Sequence, residues 1–188
     1  MRFAPVLALA LLVAPAAAQT SDAKARLAAQ REAMGKLAAM DGAWRGTASL
    51  MTREGGRHEL VQTERVGPFL DGTVKVVEGR GYEKDGSLSF NALGVISYDP
   101  ATGKYSMQSN AQGQSGTFPL WPTPDGFAWE VPAGPNAKIR YTATLKDGTW
   151  QEVGDYIAGE RPPMRIIEMK LKRIGDTSWP ASDAVPAK

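Results

Sequence analysis

The 188-residue chain contains no cysteine and a single histidine, His58. That excludes thiol catalysis, thiolate metal sites and disulfide staples, and one histidine is too few for a typical zinc site. Neither sign of charge is in excess: 22 Lys and Arg stand against 20 Asp and Glu, for a net charge of +2. A balance so near neutral gives no electrostatic reason to bind nucleic acid or an anionic membrane. Beyond the N-terminus no apolar run approaches the ~20 residues of a membrane span. No repeat recurs at solenoid or propeller spacing.

What the N-terminus does hold is MRFAPVLALALLVAPAAAQT. Arg2 supplies a positive n-region, Phe3 to Val13 an apolar core, and Ala16-Ala17-Ala18 an A-x-A cleavage site. This predicts a signal peptide over residues 1–18, cut between Ala18 and Gln19, and a periplasmic or secreted protein. With no cysteine after the signal, a lipoprotein anchor is not expected. The remaining ~170 residues suit one domain with a proper core, as a monomer or homodimer.

Residues 19–40 are rich in good helix formers, with Ser21 or Asp22 able to cap the start. Leu27, Met34, Leu37 and Met40 fall near one face, predicting an amphipathic helix that lies on the body of the domain. From Asp41 the period changes to two. Trp44, Gly46, Ala48 and Leu50 alternate with polar neighbours, as do Leu88 to Tyr98, Ile139 to Leu145 and Ile167 to Leu171. Gly113 to Pro124 is less regular, with three prolines around Trp121. Asp71-Gly72, Asp125-Gly126, Asp147-Gly148 and the run Asp99 to Gly103 read as turns. Nine or ten short strands on short connections favour an antiparallel meander closed into a barrel over residues 41–175, because closure removes the sheet edges. Residues 176–188, rich in Pro, Ala and Ser, read as a loose tail.

The densest mix of apolar and charged residues is Glu59 to Glu83. A two-residue turn at Asp71-Gly72 pairs Leu70 with Thr73, and sets Arg65 opposite Glu78, Thr63 opposite Arg80 and Val61 opposite Tyr82. Opposite charges then face each other, worth roughly 0.2–1 kcal/mol per pair. Gly67-Pro68 predicts a bulge or break in the first strand, since proline cannot donate to the ladder. One extra residue there moves Glu64 opposite Glu78, and two carboxylates on one buried face would not both ionise easily. Both registers are open at this point.

Gly42-Ala43-Trp44 opens the first strand straight after a helix and resembles the Gly-x-Trp motif of lipocalins and their calycin relatives. The blocks LDGTVKVVEGRGY, GVISYDPATGKY and EMKLKRI are similar to those of a family of bacterial exported proteins with a lipocalin-like barrel. The resemblance spans roughly Leu37 to Ile174. It implies an all-β, up-and-down, calycin-type barrel, and a barrel closure in which Arg173 of the last strand packs across the Trp44 indole, a contact worth ~0.5–2 kcal/mol. The chain differs from the usual lipocalin in its lack of a disulfide pair and its excess over eight strands.

Three motifs invite chemistry and fall short of it. Gly113-Gln114-Ser115-Gly116 lacks the G-x-S-x-G spacing and a strand-to-helix elbow. Pro100 to Lys104 lacks the leading glycine of a phosphate loop and the Ser/Thr after its lysine, and it sits between strands. His58 follows Gly55-Gly56-Arg57 in a loop, where haem ligation rests on a lone side chain. The aromatic set is more informative. Trp44, Phe90, Tyr105, Trp129 and Tyr141 share the apolar phase of their strands, and small residues (Gly46, Ala48, Ala92, Gly94, Ala143) share it too. The aromatics either fill a core or line a cavity. Gln62 and Glu64, or Glu78 and Arg80, together with Glu152, are the polar groups near that phase that could orient a ligand. The sequence therefore predicts an exported barrel that binds a small apolar or amphipathic molecule, with no cofactor or metal. Two alternatives stay open. One is an isomerase or hydrolase using Glu64 or Glu78 as general acid/base. The other is a structural or partner-binding barrel with a filled interior.

Overall fold

The structure, a computed structural model, describes residues 16–177, with side chains from residue 22. Residues 1–15, most of the expected signal peptide, and 178–188, most of the expected tail, lie outside the described residues. A helix, α1 (Ala16–Gly35), and a single 3-10 turn, Ala38–Met40, precede ten strands. These are β1 (Gly42–Met51), β2 (Arg57–Phe69), β3 (Val74–Tyr82), β4 (Leu88–Asp99), β5 (Lys104–Ala111), β6 (Gln114–Thr123), β7 (Gly126–Pro132), β8 (Ala137–Lys146), β9 (Thr149–Ala158) and β10 (Met164–Gly175). Each strand pairs antiparallel with its neighbours in sequence, and β1 pairs with β10 to close an up-and-down barrel. No described helix is long and apolar enough to cross a membrane.

Turn chemistry explains how short connections suffice. Asp147-Gly148 joins β8 to β9 with φ of 50° and 64°, both positive as a type I′ hairpin requires, and the ladder resumes at once with Lys146 opposite Thr149. Asp71-Gly72 does the same between β2 and β3, with φ of 56° and 78°. There Leu70 is also left-handed, at 49°, so the ladder ends at Phe69 opposite Val74, one pair short of the expected Leu70–Thr73. Asp125-Gly126 is corrected by one residue. Pro124 and Asp125 form that turn, and Gly126 is already the first strand residue, opposite Thr123.

The register of β2 on β3 is the charge-complementary one: Val61 faces Tyr82, Thr63 faces Arg80, and Arg65 faces Glu78. The expected bulge at Gly67-Pro68 does not occur, for Gly67 pairs with Val76 and Pro68 with Lys75. Pro68 lies two residues past Val66, the last β2 residue paired with β1, so its missing N–H costs no bond on that side. Gln114–Thr123, the irregular stretch in sequence, is strand β6. It pairs with β5 along most of its length, but with β7 only from Leu120 to Thr123. Pro119 sits where β6 has lost its β7 neighbour, and the wall has a seam there.

One end of the barrel is capped by α1 and the 3-10 turn. Met34, Leu37 and Met40 join Trp44, Val66, Ile96 and Leu171 in one buried cluster. Leu27, expected on the same face, is exposed, and α1 meets the barrel nearer its C-terminal end, through Gln30, Arg31, Ala33 and Met34. The cap is tied down by Tyr105 Oη donating to the Ala33 carbonyl (3.1 Å), Gln30 Nε2 donating to the Tyr98 carbonyl (3.3 Å), and an Arg31–Asp71 ion pair. Beneath it Lys75 is almost wholly buried, 2% exposed, and pairs with Asp41 at the start of β1.

The expected stacking of Arg173 on Trp44 is replaced by other contacts. The two residues are opposite each other across β1 and β10. Yet the Arg173 guanidinium donates to the Asp41 carbonyl (3.2 Å) and to Asp176. The Trp44 indole instead donates to the Met40 carbonyl (2.9 Å) and meets Trp150 edge to face, with centroids 5.7 Å apart. Arg173 still joins β10 to the residue that precedes β1.

Removing Asp41 leaves the Lys75 ammonium buried without its partner. Asp41→Ala is expected to cost roughly 3 kcal/mol in urea unfolding, and the double variant Asp41→Ala/Lys75→Met to recover most of it. Equal losses in single and double variants would show that the ion pair does not hold the cap.

Candidate functional site

Alternation along each strand sends every second side chain inward, and in this barrel those side chains do not fill the interior. A cavity of about 240 Å³ runs along it from Met40 on the capped end past Trp150 and Phe127 to Phe90 and Ala92. Small residues at inward positions of β4 and β5 (Ala92, Gly94, Ala111) leave this volume, as their type implies. Large aromatics from β7, β8 and β9 form the opposite wall. Trp129 and Tyr141, cross-strand neighbours, stack with centroids 4.1 Å apart and planes 10° from parallel. Trp150 is locked edge to face between Trp44 and Phe127. Such pairs contribute ~0.5–1.5 kcal/mol each beyond burial and fix the rings in place.

Two carboxyl groups face this aromatic wall. Glu152 on β9 is buried, and each oxygen accepts from one indole: Oε1 from Trp129 Nε1 at 3.0 Å and Oε2 from Trp150 Nε1 at 3.1 Å. Glu64 on β2 has one protein donor among the described residues, Gln62 Nε2, which reaches Oε1 at 2.7 Å. Glu64 is only half-buried because its carboxyl borders the cavity. It lies over Gly79 of β3, where a Cβ would stand 2.8 Å from Oε1 and 2.9 Å from Oε2. Any residue larger than glycine at 79 would push the carboxyl out of this position. Gly81 gives Gln62 the same room, its own Cβ position lying 3.1 Å from the Gln62 amide oxygen.

Burial sets the protonation of these groups. The Glu64 carboxyl is pushed up from 4.5 to about 8, chiefly by loss of water. The Gln62 amide pulls it down, and the charges of Glu152 and Glu78 raise it further. Burial also raises Glu152, against the pull of its two indole donors. Tyr141 is pushed up to about 12 by burial and by Glu152.

The sequence candidates divide accordingly. Glu64, Phe90, Trp129, Tyr141 and Glu152 line the cavity together. Gln62 stands behind Glu64 as its donor. Trp44 lies among the core residues, held by Met40 and Trp150, and Tyr105 binds the helix carbonyl at the cap. Glu78 and Arg80 are on the outer face, where Glu78 accepts from Arg65 (3.0 Å) and Arg80 (2.6 Å). The pairing of Glu64 with Glu78 inside the barrel is thus replaced by Glu64 with Glu152, because without a bulge Glu64 stands opposite Gly79 and Glu78 points the other way. His58 is exposed beside Glu83, 3.0 Å away, and does not line the cavity. Trp150 and Phe127 were missed, although each sits two residues from a chosen partner, Glu152 and Trp129. Met40 carried no signal, since it reaches the cavity only through the cap.

No family model matches the chain, and no curated protein matches it either.

Glu64 holds its proton more tightly in the folded protein than in the unfolded chain. Its contribution to stability is therefore full below about 4.5 and lost as pH rises through about 8. Glu64→Gln keeps the shape and removes this dependence. At pH 9 the variant should exceed the parent by on the order of 2 kcal/mol in denaturant unfolding, with little difference at pH 5. Parallel pH profiles for the two proteins would show that Glu64 is ionised normally.

Proposed function

We propose that this is an exported, lipocalin-like protein that binds a small, largely apolar molecule inside the barrel, with Glu64 reading the ligand's polar group. The observation that carries the reading is the cavity itself: aromatic rings of β7 to β9 on one wall, a mix of small and apolar residues of β4 and β5 on the other, and one carboxyl oxygen, Glu64 Oε2, with no protein partner among the described residues. A mostly apolar pocket with few placed polar groups is the usual form of a small-molecule site. At interior packing density, about 240 Å³ suits a ligand of about ten non-hydrogen atoms. The seam between β6 and β7, next to Phe118 and Trp129, is the natural way in, as no ladder bonds need break there. Export is supported by the N-terminal run MRFAPVLALALLVAPAAAQT, and kinship with lipocalins by Gly42-Ala43-Trp44 at the opening of a closed up-and-down barrel.

A second reading has an observation of its own. A carboxyl raised to about 8 beside a second buried carboxyl is also how a general acid is prepared, so an isomerase or hydrolase would use Glu64, with Glu152 held in place by the Trp129 and Trp150 indoles. The filled structural barrel is the reading least supported, given the cavity.

Saturation-transfer NMR with benzyl alcohol and similar neutral aromatic fragments tests the binding reading. Fragments should bind the parent with Kd near or below about 1 mM. They should fail to bind Ala92→Phe, which fills the cavity, while that variant keeps a cooperative thermal transition. Equal binding to both proteins would move the site outside the barrel.

A further inference from the structure

Resting on the binding reading, we infer that the ligand this cavity selects is a small organic monocation, an amine on an apolar body, whose ammonium group sits against Glu64. Among the described residues the cavity wall contains two carboxyl groups and no lysine, arginine or histidine. An anionic ligand such as a carboxylate would face two acids with no basic side chain among them to compensate its charge. A cation finds the reverse. Glu64 Oε2 offers an acceptor without a protein partner among the described residues, and Trp129, Tyr141, Phe90 and Phe127 line the same cavity. Aromatic faces attract a desolvated cation, and an aromatic cage with a carboxylate on its wall is the chemistry that recognises an ammonium group. Glu152 cannot take Glu64's place, because its two oxygens are already used by the Trp129 and Trp150 indoles.

Proton bookkeeping follows from the same geometry. Without a cation beside it Glu64 keeps its proton at pH 7, since burial raises it. When R–NH₃⁺ binds, the Glu64 O–H bond breaks, the carboxylate pairs with the ammonium, and the proton leaves to solvent. The groups that act on Glu64 are Glu152 on β9 and Glu78 on the outer face of β3, while Tyr141 on β8 stays neutral in this range. Both glutamates favour an incoming cation. Affinity for an amine should therefore rise as pH increases toward about 8 and then level off.

The test uses three ligands of one ring–carbon–carbon skeleton: phenethylamine, 2-phenylethanol and phenylacetate. Each is titrated by calorimetry at pH 7 in two buffers of different ionisation heat. The expected result is amine binding about tenfold or more tighter than the alcohol, no binding of the carboxylate, and release of about one proton with the amine. In Glu64→Gln the proton release should vanish and the amine preference collapse, while 2-phenylethanol still binds, showing the barrel intact. Alcohol or carboxylate binding as tightly as the amine would overturn the inference and leave the binding reading standing. An amine preference unchanged in Glu64→Gln would overturn the role of Glu64. Failure of all three to bind would take away the binding reading as well.

Discussion

The pairing of β1 with β10 is the constraint from which the rest follows. Eight residues of β1, Ala43 to Leu50, find partners on the last strand, and the sheet thereby loses its edges. Closure also divides the side chains without exception into an inside and an outside. Outside, charges meet in cross-strand pairs, such as Arg65–Glu78–Arg80 and Lys138–Glu130–Arg140. Inside, the strands bring together a set whose volumes do not match, with Ala92, Gly94 and Ala111 of β4 and β5 too small to meet the aromatics of β7 to β9. The cavity is the remainder.

Two acids within that remainder are its least economical feature for stability. A buried carboxyl costs free energy unless it is neutral or fully bonded. The barrel uses one solution for each. Glu152 is fully bonded by two indoles, which in turn lock the aromatic wall. Glu64 keeps its proton, with a single amide donor and glycines at 79 and 81 cleared to make room for it and for Gln62. A purely structural core would be more stable with apolar residues at both positions, and it would have no use for the space kept over Gly79.

Much of this was legible in the sequence. Asp-Gly turns carry their own conformational signature, and cross-strand charge complementarity pointed to the register in which Arg65 faces Glu78. Period two then put Trp129 and Tyr141 on inward phases, with Glu152 near the same phase. What could not be read were features that depend on where one strand outlasts another. Pro68 suggested a bulge because nothing local says that β1 ends two residues earlier. The prolines of Gln114–Thr123 hid a strand because each has a neighbouring strand on one side only: Pro119 pairs with β5 where β7 is absent, and Pro122 with β7 where β5 has ended. With the bulge in doubt, Glu64 and Glu78 could not be separated, and one residue of slip decides which of them is inside. The cap was obscure for a similar reason: helix periodicity grouped Leu27 with Met34, but α1 meets the barrel nearer its C-terminal end, through residues such as Gln30, Arg31 and Met34, and Met40 reaches the cavity from a separate 3-10 turn.

The most direct measurement is a crystal structure grown with a saturating aromatic fragment. Density between Glu64 and the Trp129–Tyr141 stack is the expected result. A cavity holding only water, or fragment bound only on the outer face of the barrel, would contradict a binding role for the interior.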